Sequence, residues 1–536
     1  MPNEPLHRAS ENDETGASIS PLSEVKYEVE LKLLAPAGTL DRLREAAVLA
    51  GRARNGSAAQ QLDAIYYDTP DCSLYSHGLS LRVRGNGNGY VQTLKRGPSH
   101  GRPFVRREWE TSVEGVTPDL ALLPVSEIGA PLEGLAAGAL NPVFATKIRR
   151  QTQRLDLPRA VVEVAFDEGS IEAGERREEL TEIELEVKSG DPRVLYDLGI
   201  ALLEIAPLRI GTQSKADRGY GLACGLTTTA TKATTPAITA EHTVDDIVGL
   251  LLGDCQHHIL VNQTVAEIGR DPEGVHQMRV ALRRLRTACA LLCGELGSPT
   301  LHALSKEASW LGKMLGAARD WDVFITETLS GPSAALTSDF VDFNGLRQAA
   351  EPHRAAVYAA LRDTLASTRY SRFHLSLRHW IESKGWRNEL ENKSLAVLLE
   401  PAPAFAARDL TRLHGKAVKR GAHFRQLRPE ARHRLRIALK KLRYAMEFFQ
   451  GLHGGDPRAK GYLECLAKLQ DILGHDNDAA MTRPLLCTLA RDPATPEVQR
   501  AVGSVMGWQA RDGAEVRRTL RKHWRRFKAM PTFWAS

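Results

Sequence analysis

No stretch of this 536-residue chain approaches the run of about 20 apolar residues that a membrane-crossing helix needs. The opening "MPNEPLHRASENDETGASIS" lacks the apolar centre of a secretory signal and reads as a disordered tail on a cytoplasmic protein. Cysteine is sparse: Cys72, Cys224, Cys255, Cys289, Cys293, Cys465 and Cys487 are odd in number and never spaced C-x-x-C. That argues against a disulfide framework and a zinc site, and leaves reduced, mostly buried thiols as the expectation. Cys289 and Cys293 stand one helical turn apart, a spacing that small core residues also take. What the chain does have is unevenly placed charge, about −6 over residues 1–240 and about +12 over 241–536. A chain of this length exceeds one ordinary core, and halves of opposite sign should meet different partners.

Up to about residue 220 the sequence alternates at period two in short runs broken by Gly, Pro and Asp, the pattern of antiparallel strands. Two stretches, "AGTLDRLREAAVLAG" and "DPRVLYDLGIALLEIAP", break it as helices, the first with Thr39 or Asp41 as N-cap. "YEVELKL" (27–33) sets Tyr27, Val29, Leu31 and Leu33 against Glu28, Glu30 and Lys32. The same division recurs. Arg82 and Arg84 oppose Leu81 and Val83; Arg106, Glu108 and Glu110 share a face; Glu163 and Asp167 oppose Val162, Val164 and Phe166; Glu182, Glu184, Glu186 and Lys188 oppose Ile183, Leu185 and Val187. A solvated sheet face has no need of Arg-x-Arg on one strand and Glu-x-Glu-x-Glu on another. A closed sheet with a charged lumen accounts for both. Carboxylates at close range call for a divalent cation, all-oxygen sets favour Mg²⁺ or Mn²⁺, and nearby guanidinium groups match phosphate oxygens. Together these point to phosphoryl-transfer chemistry.

The E-x-E-x-K strand followed in order by "YYDTPDCSLYSHGLSLRVR", "TLKR", "REWE", "EIELEVKSG" and "SKADRGYGL" resembles the CYTH domain of the triphosphate tunnel metalloenzymes over about residues 23–223. The resemblance implies a tunnel of eight antiparallel strands with helices outside, using a divalent metal on triphosphates. It implies metal-side carboxylates at Glu28, Glu30, Glu108, Glu110, Glu182 and Glu184, with Glu186 as ligand or neighbour and Asp167 as the acid after the middle strand. Lys32, Arg82, Arg84, Lys95 and Lys215 become triphosphate-binding cations. Of the adjacent pair Arg149 and Arg150, one faces the lumen. Lys32, Glu182 and Asp167 are the candidate catalytic residues, a carboxylate of the cluster taking the proton of the attacking water. Inorganic triphosphatase, thiamine triphosphatase and class IV adenylate cyclase all occur in this family.

"TTTATKATTPAITAEHT" (227–243) is a Thr/Ala-rich linker, and after it period 3.6 takes over in long amphipathic helices, the mark of an α-helical bundle. "VHQMRVALRRLRTA" (275–288) and "RHRLRIALKKLRYA" (432–445) match at His276/His433, Arg279/Arg436, Arg283/Lys440, Arg284/Lys441 and Arg286/Arg443, about 157 residues apart. Two copies of one unit about a pseudo-twofold are the simplest explanation. Arg412, Lys416, Lys419 and Arg420 add basic charge before the second copy, with acids nearly absent. Against nucleic acid, no aromatics interleave for base stacking and no helix-turn-helix or RNP-like signature occurs. The H-x-x-R-x-x-x-[RK]-[RK]-x-R pair instead resembles the CHAD domain over about 243–530, which implies binding of inorganic polyphosphate. The candidates on that resemblance are His276, Arg279, Arg283, Arg286, Arg412, Lys416, Lys419, Arg420, His433, Arg436, Lys440 and Arg443.

The whole is expected to be an α+β multidomain chain: tail 1–22, β-tunnel domain 23–223, linker 224–242 and all-α bundle with an internal two-fold repeat 243–530. The expected function is Mg²⁺- or Mn²⁺-dependent hydrolysis of inorganic triphosphate beside a polyphosphate-binding module. A class IV cyclase, another triphosphatase and a scaffold with an idle tunnel are the competitors.

Overall fold

The computed structural model describes residues 26–50, 53–56, 59–85, 89–97, 105–136, 138–225, 228–336, 341–491 and 495–535. The expected tail, 1–22, lies outside them. The strands are β1 (Lys26–Leu34), β2 (Ala53–Gly56), β3 (Gln60–Asp68), β4 (Leu79–Gly85), β5 (Tyr90–Arg96), β6 (Val105–Val113), β7 (Asn141–Leu157), β8 (Ala160–Ala173), β9 (Arg176–Gly190) and β10 (Arg209–Ile210). Eight of them close antiparallel in the order β1-β6-β5-β4-β3-β7-β8-β9, and β9 pairs back onto β1; β2 and β10 are short additions on β7 and β1. Small helices surround the barrel: α1 (Leu40–Arg44), α2 (Ala47–Ala50), α3 (Ser73–Ser76), α4 (Val125–Ile128), α5 (Val194–Leu202) and α6 (Lys215–Cys224).

The barrel is inside-out relative to a small globular core. Leu31, Leu33, Val162, Val164, Phe166, Ile183 and Leu185 face outward and are buried under Leu195, Leu198 and Leu202 of α5 and Leu43 and Leu49 of α1 and α2. Helices on the outside remove the apolar face of each strand from water, so the charged alternates are left for the lumen. The expected helix over 37–51 is split, because Glu45 ends α1 before α2 begins; Thr39 does sit at its N-cap, but its hydroxyl donates to Pro36 O at 2.6 Å instead of capping.

The second half is all helical: α7 (Val244–Ile268), α8 (Pro272–Leu296), α9 (Pro299–Val323), α10 (Ser330–Ala335), α11 (Phe343–Ala366), α12 (Thr368–Glu382), α13 (Trp386–Glu389), α14 (Asn392–Leu398), α15 (Ala402–Arg420), α16 (Pro429–Phe448), α17 (Pro457–Leu489) and α18 (Pro496–Ala529). Boundaries follow local chemistry: Thr243 and Asp246 form a capping box on α7, which ends at Gly269 with φ 70°. The helices bearing the duplicated motif, α8 and α16, pack together, with Arg283 Nε donating to Tyr444 OH at 3.1 Å.

The linker is held down rather than loose. Ile238 is buried, Thr231 N donates to Asn262 Oδ1 at 2.9 Å, and the buried Arg284 donates to Thr234 O at 2.9 Å and to Asp254 of α7 at 2.9 Å. The two halves share packing: Leu260 of α7 and Leu375 of α12 join the outer core of the barrel, Ser371 Oγ donates to Leu208 O at 2.9 Å, and Arg209 pairs with Glu267 at 2.8 Å.

Candidate active site

Strand register brings the charged alternates together. In an antiparallel pair, directly opposed residues point to the same face, and here Lys32 opposes Glu184, Glu30 opposes Glu186, Lys95 opposes Glu108, Thr93 lies between Arg82 and Glu110, Asp167 lies between Arg150 and Glu182, and Glu28 opposes Arg106. The result is a cavity of about 490 Å³ whose lining includes Glu28, Glu30, Arg82, Arg84, Lys95, Arg106, Glu108, Glu110, Arg150, Glu184, Glu186 and Lys215. One part of its wall comes from the helical half, through Leu260, Val261 and Thr264 of α7 and Thr228 and Thr231 of the linker.

The deepest feature is an acidic triad. Ligand oxygens of Asp167, Glu182 and Glu184 all lie within 4.8 Å of one another, and Asp167 and Glu182 are 0 % and 1 % exposed. Three cations hold it. Lys32 Nζ is 2.9 Å from Glu182 and also bonds Glu184; Lys215 Nζ is 2.8 Å from Asp167 and from Glu184 and also bonds Glu182; Arg150 grips Asp167 through Nε at 2.7 Å and Nη2 at 2.6 Å and reaches Glu184. Burial works against the charges of Glu184 and Asp167, and attraction to the cations overcomes it: Glu184 is held well below the usual carboxylate range by Lys215, Lys32 and Arg150, and Asp167 is lowered chiefly by Lys215. Burial likewise disfavours the Lys32 and Lys215 ammonium groups, yet the carboxylates raise both above the ordinary lysine range.

Lys215 reaches the triad because α6 begins there. Ser214 and Asp217 make a capping box at its start, and Gly219 allows α6 to lie on β7, since a Cβ at that position would stand 2.1 Å from the Phe144 ring. Gly211 performs the same service beside Lys32, where a Cβ would fall 2.7 Å from Cγ.

The other expected carboxylates lie outside the triad, each with a cation, and Glu30 shares Lys32 with it. Lys95 Nζ lies 2.7 Å from Glu28 and 3.2 Å from Glu108, Glu110 accepts from Thr93 at 3.1 Å and lies 3.7 Å from Arg84, and Glu186 pairs with Lys188 at 2.6 Å. Glu30 is buried 3.4 Å from Lys32 and 3.8 Å from Arg106, and its Oε1 accepts no hydrogen bond. Among the described residues the triad is the cluster whose geometry suits one ion. Of the arginine pair, Arg150 enters the lumen while Arg149 is exposed on the other face of β7. Arg106 is a further lumen cation not among the expected ones, although its parity with Glu108 and Glu110 already placed it there.

Two buried donors on the lumen wall lack acceptors. The Nε atoms of Arg82 and Arg84 are enclosed and donate to nothing, and Arg84 has its charge disfavoured first by Arg82 beside it and then by burial. A polyanion's oxygens would satisfy both needs.

In the helical half the basic residues also gather. Lys441, not among the expected binders, stands amid Lys416, Arg286, Arg420 and Arg412, and burial together with these neighbours disfavours its charge. Burial and the neighbouring Arg319 push His276 down to about 4, and burial and Arg283 push Arg279 to about 10. Some candidates are partly engaged: Arg412 bonds Asp409, Arg420 donates to Arg434 O at 2.8 Å, and Arg443 pairs with Glu447 at 2.8 Å. Lys416, Lys419, His433 and Arg286 are exposed, while Arg283, Arg436 and Lys440 are half-buried.

Comparison with known proteins identifies both halves. The CYTH domain profile matches residues 26–220 and the CHAD domain profile residues 250–487. The chain carries an N-terminal CYTH domain followed by a C-terminal CHAD domain. It is 30% identical over 167 residues to the inorganic triphosphatase of Haemophilus influenzae, a match spanning 29% of this chain and 44% of that protein. It is 26% identical over 461 residues to an uncharacterised protein of Mycobacterium tuberculosis, covering 80% and 82% of the two chains. Among solved structures, the CHAD domain from the plant Ricinus communis is 32% identical, with 57% of this chain and 98% of that one covered and a TM-score of 0.48. CYTH tunnel and buried acidic cluster together support a metal-dependent hydrolase of the triphosphatase type. No helix among the described residues is long and apolar enough to cross a membrane.

Proposed function

We propose that the CYTH tunnel hydrolyses inorganic triphosphate to pyrophosphate and phosphate with Mg²⁺ or Mn²⁺, and that the CHAD domain binds inorganic polyphosphate. The observation that carries the first half is the juxtaposition, in one lumen, of the Arg82 and Arg84 Nε atoms, which donate to nothing, with the acidic triad. The donor set is all oxygen, with Asp167 and Glu182 buried and Glu184 half-buried, and Glu30 Oε1, which accepts no hydrogen bond and lies 3.4 Å from the Lys32 that the triad also holds, offers one more ligand atom, which suits a hard divalent cation. Asp167, Glu182 and Glu184 would hold that cation, with Glu30 beside them. Such an ion supplies charge neutralisation and Lewis-acid polarisation to phosphoryl chemistry.

The chain's own groups do the rest. Arg82, Arg84, Lys95 and Arg106 bind the triphosphate oxygens and fix its axis. Lys32, Lys215 and Arg150, now paired with the triad, are placed to transfer their hydrogen bonds to phosphate oxygens when a cation takes the carboxylates. A carboxylate of the cluster accepts the proton of the attacking water. The likeness to the Haemophilus triphosphatase supports this choice among triphosphates. In the CHAD domain, the concentration of positive charge around Lys441 and Arg279, which their neighbours already disfavour, suits a long polyanion.

The purified full chain, assayed with Mg²⁺ on tripolyphosphate, ATP and thiamine triphosphate, tests the substrate assignment. Tripolyphosphate is expected to exceed the others in kcat/KM by about tenfold or more, since the charged side chains that dominate the lining contact phosphate oxygens common to all three and a base or thiazole adds bulk to be seated. Preference for ATP with a cyclic nucleotide as product would establish the cyclase reading instead.

A further inference from the structure

Cys72 and Cys224 are 152 positions apart, yet their sulfurs are 3.0 Å from one another. Cys72 is buried, with φ 55° in the left-handed region at the start of α3; Cys224 is the exposed last residue of α6. The two short helices are otherwise joined by polar and aromatic contacts: the rings of Tyr75 and Tyr220 stack at 4.2 Å, Tyr220 OH donates to Asp68 at 2.8 Å, and Tyr75 OH donates to Asp217 at 3.1 Å. This seam seats the helix that delivers Lys215 to the acidic triad.

We infer that Cys72 and Cys224 form a reversible dithiol–disulfide pair that covalently fastens α6 to the barrel wall. The oxidant is a low-molecular-weight disulfide. Cys224, the accessible thiol, attacks it as thiolate, forming a mixed disulfide and releasing one reduced thiol; Cys72 then attacks the Cys224 sulfur and displaces the second. One protein disulfide forms, one small-molecule disulfide breaks, and the two electrons and two protons leave with the two small thiols. Cys224 is exposed and Cys72 buried, so first attack falls to Cys224 and the resolving step to Cys72, whose thiol burial and the contact with Cys224 push up to about 12. The closed loop contains six of the eight barrel strands, β4 to β9, so the bond restricts the unfolded chain strongly while requiring little movement of the folded one. The pair does not depend on which triphosphate the tunnel takes.

The test uses the full chain incubated with oxidised glutathione, then peptide mapping and thermal unfolding. A peptide linking positions 72 and 224, two hydrogen masses lighter than its parts, is expected, with Tm raised by roughly 5 °C or more and returned by dithiothreitol. In Cys224→Ser, an exposed and mild change, link and shift should both vanish. A persistent glutathione adduct on Cys224, a linked dimer of chains, or a 72–224 link with unchanged Tm would overturn the proposal. None of these readouts involves catalysis, so they stand apart from the triphosphatase assignment.

Discussion

Arg82 and Arg84 each keep an enclosed Nε without an acceptor, an arrangement that costs stability unless something anionic arrives. Changing either to Ala should lower kcat/KM for triphosphate by roughly 10- to 1000-fold, the loss of a charge-assisted phosphate contact, with the Tm unchanged or higher. Steady-state kinetics with a parallel thermal melt check it. Glu184 behaves oppositely, because it balances Lys215, Lys32 and Arg150 at once. Glu184→Gln should destabilise the fold at pH 7 by roughly 3–5 kcal/mol, the cost of leaving buried cations underpaired. Its pKa and that of Asp167 are lowered on folding, so their stabilisation is fully present above the unfolded carboxylate values of about 4 and fades as pH falls below them. Urea unfolding of Glu184→Gln and the parent chain should therefore converge as the pH drops from 5 towards 2.

At the scale of elements, α6 is the piece whose seating decides the site. Gly219→Ala puts a methyl group 2.1 Å from the Phe144 ring, so α6 must lift from β7 and carry Lys215 with it. Roughly 1–3 kcal/mol of stability and roughly 10- to 100-fold in kcat/KM should be lost, and trimming the ring in Gly219→Ala/Phe144→Leu should recover part of both. The strands themselves were legible in the sequence, since Glu28, Glu30 and Lys32 announce their face by alternation alone. Arg149 and Arg150 were not, because adjacent residues give no parity until the pairing of β7 with β8 fixes it. The triad's private bonds to Lys215 and Arg150, and the meeting of Cys72 with Cys224, join segments tens to more than a hundred residues apart; such contacts come from register and closure, which no local pattern encodes. The resemblance supplied the roles expected of Glu28, Glu108 and Glu110, and the structure adds the company they keep, Lys95, Arg84 and Thr93.

In the whole molecule, a negatively charged half and a positively charged half meet along α7 and α12, and α7 lends Leu260, Val261 and Thr264 to the wall of the tunnel cavity. The helical half should bind long-chain polyphosphate with an affinity that falls steeply as salt rises, because bound phosphates release condensed counterions. Reversing two exposed cations on different helices, Arg286→Glu with Lys416→Glu, should weaken binding in the intact chain by about tenfold or more and flatten its salt dependence. Titration against single-stranded RNA of equal charge is the control, and equal affinity for RNA would return the surface to a general polyanion site. ³¹P NMR of tripolyphosphate turnover reads the chemistry of the lumen itself. Equimolar pyrophosphate and phosphate are expected with Mg²⁺ or Mn²⁺, with no turnover in excess chelator and about 100-fold or greater loss in Glu30→Gln that still melts as a folded protein. Turnover that persists in chelator, or is undiminished in Glu30→Gln, would contradict metal-dependent hydrolysis in the tunnel.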